Sequence, residues 1–193
     1  SSFVVWTGVK PIETSIWKNP TTMKDKQYRI FLVDDDTKHL IMLKNHLEKK
    51  SEYDIKVNIF SNGENCLDKM HENPHIVILD YYLDGIKTDA ANGLEILKKI
   101  RATNPDTYVI MMSGQDDLKV AIATIDHGAY DYIIKGESAY VRAQMIIDHI
   151  IENINNLEWK RNMKIRETAL VTGFILLGCV LVALALYDMG MFD

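Results

Sequence analysis

Apolar residues along this chain fall into short runs and helical stripes that alternate with polar turns. Residues 28–33 (Tyr-Arg-Ile-Phe-Leu-Val) read as a strand, with Asp34-Asp35-Asp36 at its tip. Residues 37–50 carry Leu40, Leu43 and Leu47 at the three- and four-residue spacing of a buried helical stripe, and Asp36 or Thr37 can cap that helix. Residues 54–60 alternate, with Ile55, Val57 and Ile59 on one side, and predict a second strand. Ser61-Asn62-Gly63 is a turn, a short helix runs to about His71, and Asn73-Pro74 breaks the chain. Then comes Ile76-Val77-Ile78-Leu79-Asp80. Four consecutive apolar residues, three of them β-branched, predict a strand buried on both faces and ending in a carboxylate.

The alternation continues. A loop precedes a helix over residues 91–102 with Leu94, Leu97 and Ile100. Residues 107–112 form a fourth strand that ends at Ser113-Gly114. A helix from Asp116 or Asp117 to about His127 follows, with Gly128 as its C′ residue. Residues 129–134 form a fifth strand ending at Lys135-Gly136, and a long helix starts near Glu137. Strands alternating with helices predict an α/β fold: a doubly wound, five-stranded parallel sheet covered on both faces. Residues 1–26 show no sustained period and read as an irregular arm. Met23 is a candidate initiator.

The last helix changes character. Ile147, Ile150, Ile154 and Leu157 form a seam that covers the sheet or pairs helices, with covering favoured. Lys160, Arg161, Lys164 and Arg166 come next, and then residues 169–187 run without a charge. As a helix that run is about 28 Å long, enough to span a bilayer core. The preceding basic cluster places the main domain on the cytoplasmic side of an inner membrane, as a single-pass protein. Ala169/Gly173 and Cys179/Ala183 have small-xxx-small spacing, which allows homo-oligomerisation through this helix. The expected organisation is arm 1–26, globular domain 27–152, basic helical linker 153–168, transmembrane helix 169–187 and tail 188–193.

Composition narrows the functions. A net charge of −5 over 193 residues argues against a nucleic-acid-binding face. Two cysteines, Cys66 and Cys179, stand in unlike contexts and indicate no disulfide framework, which suits a reducing compartment. The start has no secretory pattern. The six histidines show no metal-ligand spacing and are expected to face solvent.

In an open parallel sheet the C-terminal tips of the strands share one edge, where ligands bind. Four of the five tips deliver polar chemistry there: Asp34-Asp35, Asp80, Ser113 and Lys135. Asp80 alone could simply cap its loop. Three carboxylates gathered at one edge, however, repel one another unless a cation sits among them. Mg²⁺, with oxygen ligands, meets that need. Lys135 and Ser113 complete a pocket for an anionic group on Asp80, such as a phosphoryl group held as an acyl phosphate.

Phe31-Leu32-Val33-Asp34-Asp35-Asp36, Ile78-Leu79-Asp80, Met112-Ser113-Gly114 and Tyr132-Ile133-Ile134-Lys135 together resemble the receiver domain of two-component response regulators, over about residues 28–152. The resemblance implies a flavodoxin-like receiver fold and a phosphoacceptor rather than an enzyme. It implies Mg²⁺ on Asp34, Asp35, Asp80 and the Tyr82 backbone carbonyl. It implies phosphorylation of Asp80 by a histidine kinase or phosphotransfer protein, with Lys135 on the phosphoryl group. Ser113 and Tyr132 match the family's switch pair, and Tyr82 and Gln115 hold the positions that tune autodephosphorylation. Three features depart from the pattern: Gly136 replaces the usual Pro, Leu83-Asp84 replaces a Met-Pro type of pair, and the loop 85–92 is longer. The expected function is a membrane-anchored phosphoacceptor that signals to an unknown output protein through altered contacts. The alternative is a membrane adaptor whose receiver is never phosphorylated. A haloacid-dehalogenase-like phosphatase fits poorly, because Asp34-x-Asp36 is followed by Lys38 and Asp80-x-Tyr82 lacks the second Asp.

Overall fold

The computed structural model describes residues 26–83, 93–114 and 118–188. The arm 1–25, most of the loop after Asp80, Gln115 and the tail from Met189 lie outside the described residues. The elements run β1 (Tyr28–Val33), α1 (Thr37–Lys50), β2 (Ile55–Phe60), α2 (Gly63–Lys69), β3 (Ile76–Asp80), α3 (Gly93–Thr103), β4 (Tyr108–Ser113), α4 (Leu118–Asp126), β5 (Asp131–Ile134) and α5 (Ala139–Asp188). The strands form one parallel sheet in the order β2-β1-β3-β4-β5. The expected five-stranded α/β sheet is therefore present, and its strand order reverses between β1 and β3.

The central strand shows why the sequence folds this way. Ile76 and Ile78 enter one core with Leu40, Leu43 and Leu47 of α1 and with Ala143, Ile147 and Ile150 of α5. Val77 and Leu79 enter the other core, with Cys66 of α2 and with Ile96, Leu97 and Ile100 of α3. Successive side chains point to opposite faces, so a strand covered on both sides needs an unbroken apolar run. Ile147 and Ile150 face the sheet, whereas Leu157 is exposed. The seam is thus mainly a cover for the sheet.

Strand β2 is present as expected; on the side that Ile55, Val57 and Ile59 share, Val57 is buried and Ile59, at the far end of this edge strand, is 38% exposed. The expectation for the histidines needs correction. His71 is exposed as expected, but His75 is half-buried. The His75 Nδ1 accepts the Arg29 backbone N–H at 3.1 Å, and its ring packs edge-on to Tyr28 at 5.3 Å. Burial first, then Lys26 and Arg29 nearby, lowers its pKa. Gly136, which stands where the family pattern has Pro, has no positive φ, and a Cβ there would meet nothing within 4 Å.

Gly128 does take the left-handed conformation, φ 93°, as a helix C′ residue. A Cβ there would lie 2.9 Å from Arg101 Cδ. Gly128→Ala is expected to cost about 1–2 kcal/mol, the penalty for a left-handed non-glycine residue. A urea melt of the detergent-solubilised chain measures it.

α5 is one continuous helix of 50 residues. It starts beside the C-terminal tips of the strands and runs back along the sheet. It is pinned at the opposite edge, where the Tyr28 hydroxyl donates to Asn155 and Lys26 pairs with Glu158. From Trp159 to Leu184 it is exposed. Among the described residues it is the one helix long and apolar enough to be a candidate membrane span.

Candidate functional site

The β1 tip is fixed by backbone bonds. The Asp34 N–H donates to Phe60 O at 3.1 Å, which extends the β1–β2 ladder by one residue. The Asp36 N–H donates to Asp34 Oδ1 at 2.9 Å. The three aspartates then divide their work. Asp36 is the N-cap of α1 and accepts from the Lys38 and His39 backbone N–H groups. Asp34 is buried and Asp35 half-buried, and both are left to the pocket.

Asp80 arrives at the tip of β3, one strand away, and is 4% exposed. One oxygen atom from each of Asp34, Asp35 and Asp80 lies within 4.8 Å of the others. Lys135 follows β5, and its backbone N–H donates to Ser113 O at 2.7 Å, which aims the side chain along the sheet edge. Its Nζ reaches Asp80 Oδ2 at 2.8 Å and Asp34 Oδ2 at 2.7 Å. One ammonium thus bridges two carboxylates.

The charges respond unequally. Burial pushes Asp34 up, but hydrogen bonds from His39, Lys135 and the Asp36 N–H outweigh it and hold the carboxyl below its usual range. For Asp80 burial wins over the Lys135 hydrogen bond, aided by repulsion from Asp34, and its pKa is raised. Burial lowers Lys135, but its bonds to Asp34 and Asp80 outweigh that and raise it, so it stays cationic. With all three carboxylates ionised, one ammonium leaves two negative charges unbalanced. A hard divalent cation with oxygen ligands at about 2.0–2.1 Å fits this donor set after small side-chain rotations.

Ser113 ends β4 and is fully buried. Tyr132 of β5 lies 9% exposed, packed into the core shared with α3. Tyr82 is 37% exposed at the pocket rim, its ring edge-on to Tyr81 at 4.8 Å, and its N–H reaches Asp80 Oδ1 at 3.4 Å. Gln115 lies outside the described residues. The structure therefore gathers Asp34, Asp35, Asp80 and Lys135 into one cluster. Tyr82 stands at its rim, and Ser113 ends the strand next to Asp80's.

Sequence reading missed His39. It is no solvent-facing histidine: Nδ1 lies 2.7 Å from Asp34 Oδ2, and the side chain is 15% exposed. The available signal was its place in the first turn of a helix that begins at the pocket. Cys66 is buried in the core with α3, its thiol pushed up to about 12 by burial.

A doubly wound sheet with acidic groups and a lysine at its switch-point edge defines a class of α/β domain built around an anion- and cation-holding crevice. The chain belongs to the response regulator receiver domain family, whose model matches residues 30–147. Among curated proteins, it is 31% identical over 113 residues to the transcriptional regulatory protein ZraR of Klebsiella oxytoca, covering 58% of this chain and 24% of that one. It is 32% identical over 108 residues to the transcriptional regulatory protein CssR of Bacillus subtilis, covering 56% and 44% respectively. The chain thus spans less than half the length of these relatives. Among solved structures, the BeF₃-activated receiver domain of DrrB, a Thermotoga maritima protein, matches with a TM-score of 0.56 and 26% identity, over 66% of this chain and 99% of that one. The receiver domain of NtrX from Brucella abortus matches with a TM-score of 0.56 and 25% identity, over 64% and 98%. Receiver domains are signalling phosphoacceptors that typically bind Mg²⁺ in an acidic pocket, which agrees with the aspartate cluster.

Proposed function

We propose that this chain is a membrane-anchored receiver that takes a phosphoryl group on Asp80 from a histidine kinase or phosphotransfer protein. The observation that carries this reading is the single Lys135 ammonium shared between Asp34 and Asp80, with Asp35 close by. An Asp80 oxygen attacks phosphorus in line as the bond to the donor's leaving group breaks, and an acyl phosphate forms. Lys135 moves onto a phosphoryl oxygen and offsets its charge. Asp34, Asp35, Asp80 and the Tyr82 carbonyl would hold Mg²⁺, which neutralises charge on the transferring group. Ser113 and Tyr132 serve as the switch pair, with the Ser113 hydroxyl donating to the phosphoryl group. Tyr82 and Gln115 tune the lifetime of the acyl phosphate, and the bulk of Tyr82 at the rim favours a long-lived state. Loss of label within seconds would count against that last point.

The course of α5 supports the anchoring. It leaves the domain at the sheet edge opposite the pocket, so a helix embedded over residues 169–187 keeps the acidic pocket on the membrane-distal side, open to a cytoplasmic donor. The basic residues Lys160, Arg161, Lys164 and Arg166 then sit at the inner surface. Output is a changed protein contact made at the membrane.

The test is incubation of the full chain in lipid nanodiscs with a labelled small phosphodonor. Uptake is expected, sensitive to hydroxylamine and abolished by chelating Mg²⁺. Its absence would favour a receiver used only for docking.

A further inference from the structure

His39 belongs to none of the motifs that carry the resemblance, yet it touches the pocket. Asp34 Oδ2 holds two donors, His39 Nδ1 at 2.7 Å and Lys135 Nζ at 2.7 Å, while Oδ1 takes the Asp36 N–H. A carboxylate only accepts, so Nδ1 carries the proton in this contact. The imidazole is itself braced, because its ring lies 5.3 Å from that of Tyr140 in the first turn of α5.

We propose that His39 is a positioning residue for Asp34, holding its Oδ2 when Lys135 turns away. The inference rests on the reading of the pocket given above. Lys135 cannot keep both carboxylates once a phosphoryl group and a divalent cation share the site, since the cation repels the ammonium and the phosphoryl oxygens attract it. Its bond to Asp34 is the one that yields. Without His39, Asp34 would keep only one backbone N–H on Oδ1, and the carboxylate could rotate out of its binding orientation. With His39 in place, Asp34 keeps a donor on each oxygen and leaves its outer lone pairs to the metal. Outer hydrogen-bond partners of this kind are worth about 10–100-fold in metal affinity.

Calorimetric titration of Mg²⁺ into the full chain in detergent tests this, with a metal-free thermal melt on every variant. His39→Phe keeps a ring against Tyr140 and removes the donor. His39→Asn keeps a donor near Nδ1 and removes the ring. The expected result is Mg²⁺ binding about 10–100-fold weaker in the Phe variant, close to wild type in the Asn variant, and no further loss from His39→Phe in an Asp34→Asn background. Wild-type affinity in the Phe variant, or loss in Asn with retention in Phe, would overturn the proposal and leave His39 as packing. Failure of the wild type to bind Mg²⁺ would overturn the reading of the pocket itself, a separate result. Should the Phe variant fail to fold, His39→Leu takes its place.

Discussion

Asp80→Asn is expected to abolish phosphoryl uptake entirely and, in the metal-free chain near neutral pH, to raise stability by about 0.5–2 kcal/mol. The two effects share one cause. The carboxylate that accepts phosphate is costly to keep ionised when the pocket holds no cation: burial and Asp34 raise its pKa despite the Lys135 bond. A raised folded-state value means that the stabilising contribution is complete at low pH and is lost as pH rises through that value. The Asn variant lacks this loss. Its advantage over the wild type is therefore largest near neutrality and shrinks as pH falls. Asp34 behaves in the opposite way. Its lowered value gives stability at neutral pH that disappears as pH falls through the folded-state value. Saturating Mg²⁺ should reverse the Asn advantage, because the cation binds the folded wild type and adds its binding energy. Urea melts with and without Mg²⁺, at two pH values, measure all of this. An Asn variant less stable than the metal-free wild type would show that Asp80 is a structural partner of Lys135 and carries no electrostatic cost.

What the chain disclosed before folding follows from the range of each signal. The β3 run declared itself because burial on both faces leaves no polar position between Ile76 and Leu79. The division between Asp34-Asp35 and Asp36 was legible because N-capping is local. Tertiary placement was less visible. His39 and Asp34 are close in sequence, but their contact depends on the angle at which α1 leaves β1. His75 sits after a proline and reads as a turn, while the Arg29 N–H it accepts comes from a strand 46 positions away. The length of α5 was legible too, because no proline or glycine interrupts the chain between Gly136 and Gly173, and the polar-to-apolar change near Ala169 falls inside one helix.

Gly93→Ala should cost more than about 3 kcal/mol and deprive the chain of phosphoryl uptake, although Gly93 bears no functional group. It is the first residue of α3, and its N–H donates to Tyr81 O at 2.9 Å. A Cβ at this position would lie 2.2 Å from Asp80 O and 2.8 Å from Tyr81 Cα. Both are backbone atoms, so no rotamer change relieves the clash. Either α3 retreats and opens the core around Ile96, Leu97 and Ile100, or the β3 tip moves and takes Asp80 away from Lys135. The first route loses packing and the second misaligns the acceptor by more than a hydrogen bond tolerates. Gly136→Ala is the matched control, also beside the pocket but with open space around the added methyl. It should leave uptake intact and change stability by under about 1 kcal/mol, through the unfolded chain alone. A melt and a labelling assay on both variants separate a demand for close backbone approach at Gly93 from a general need for glycine near the site. Equal effects at the two positions would mean that α3 does not press on the β3 tip as described.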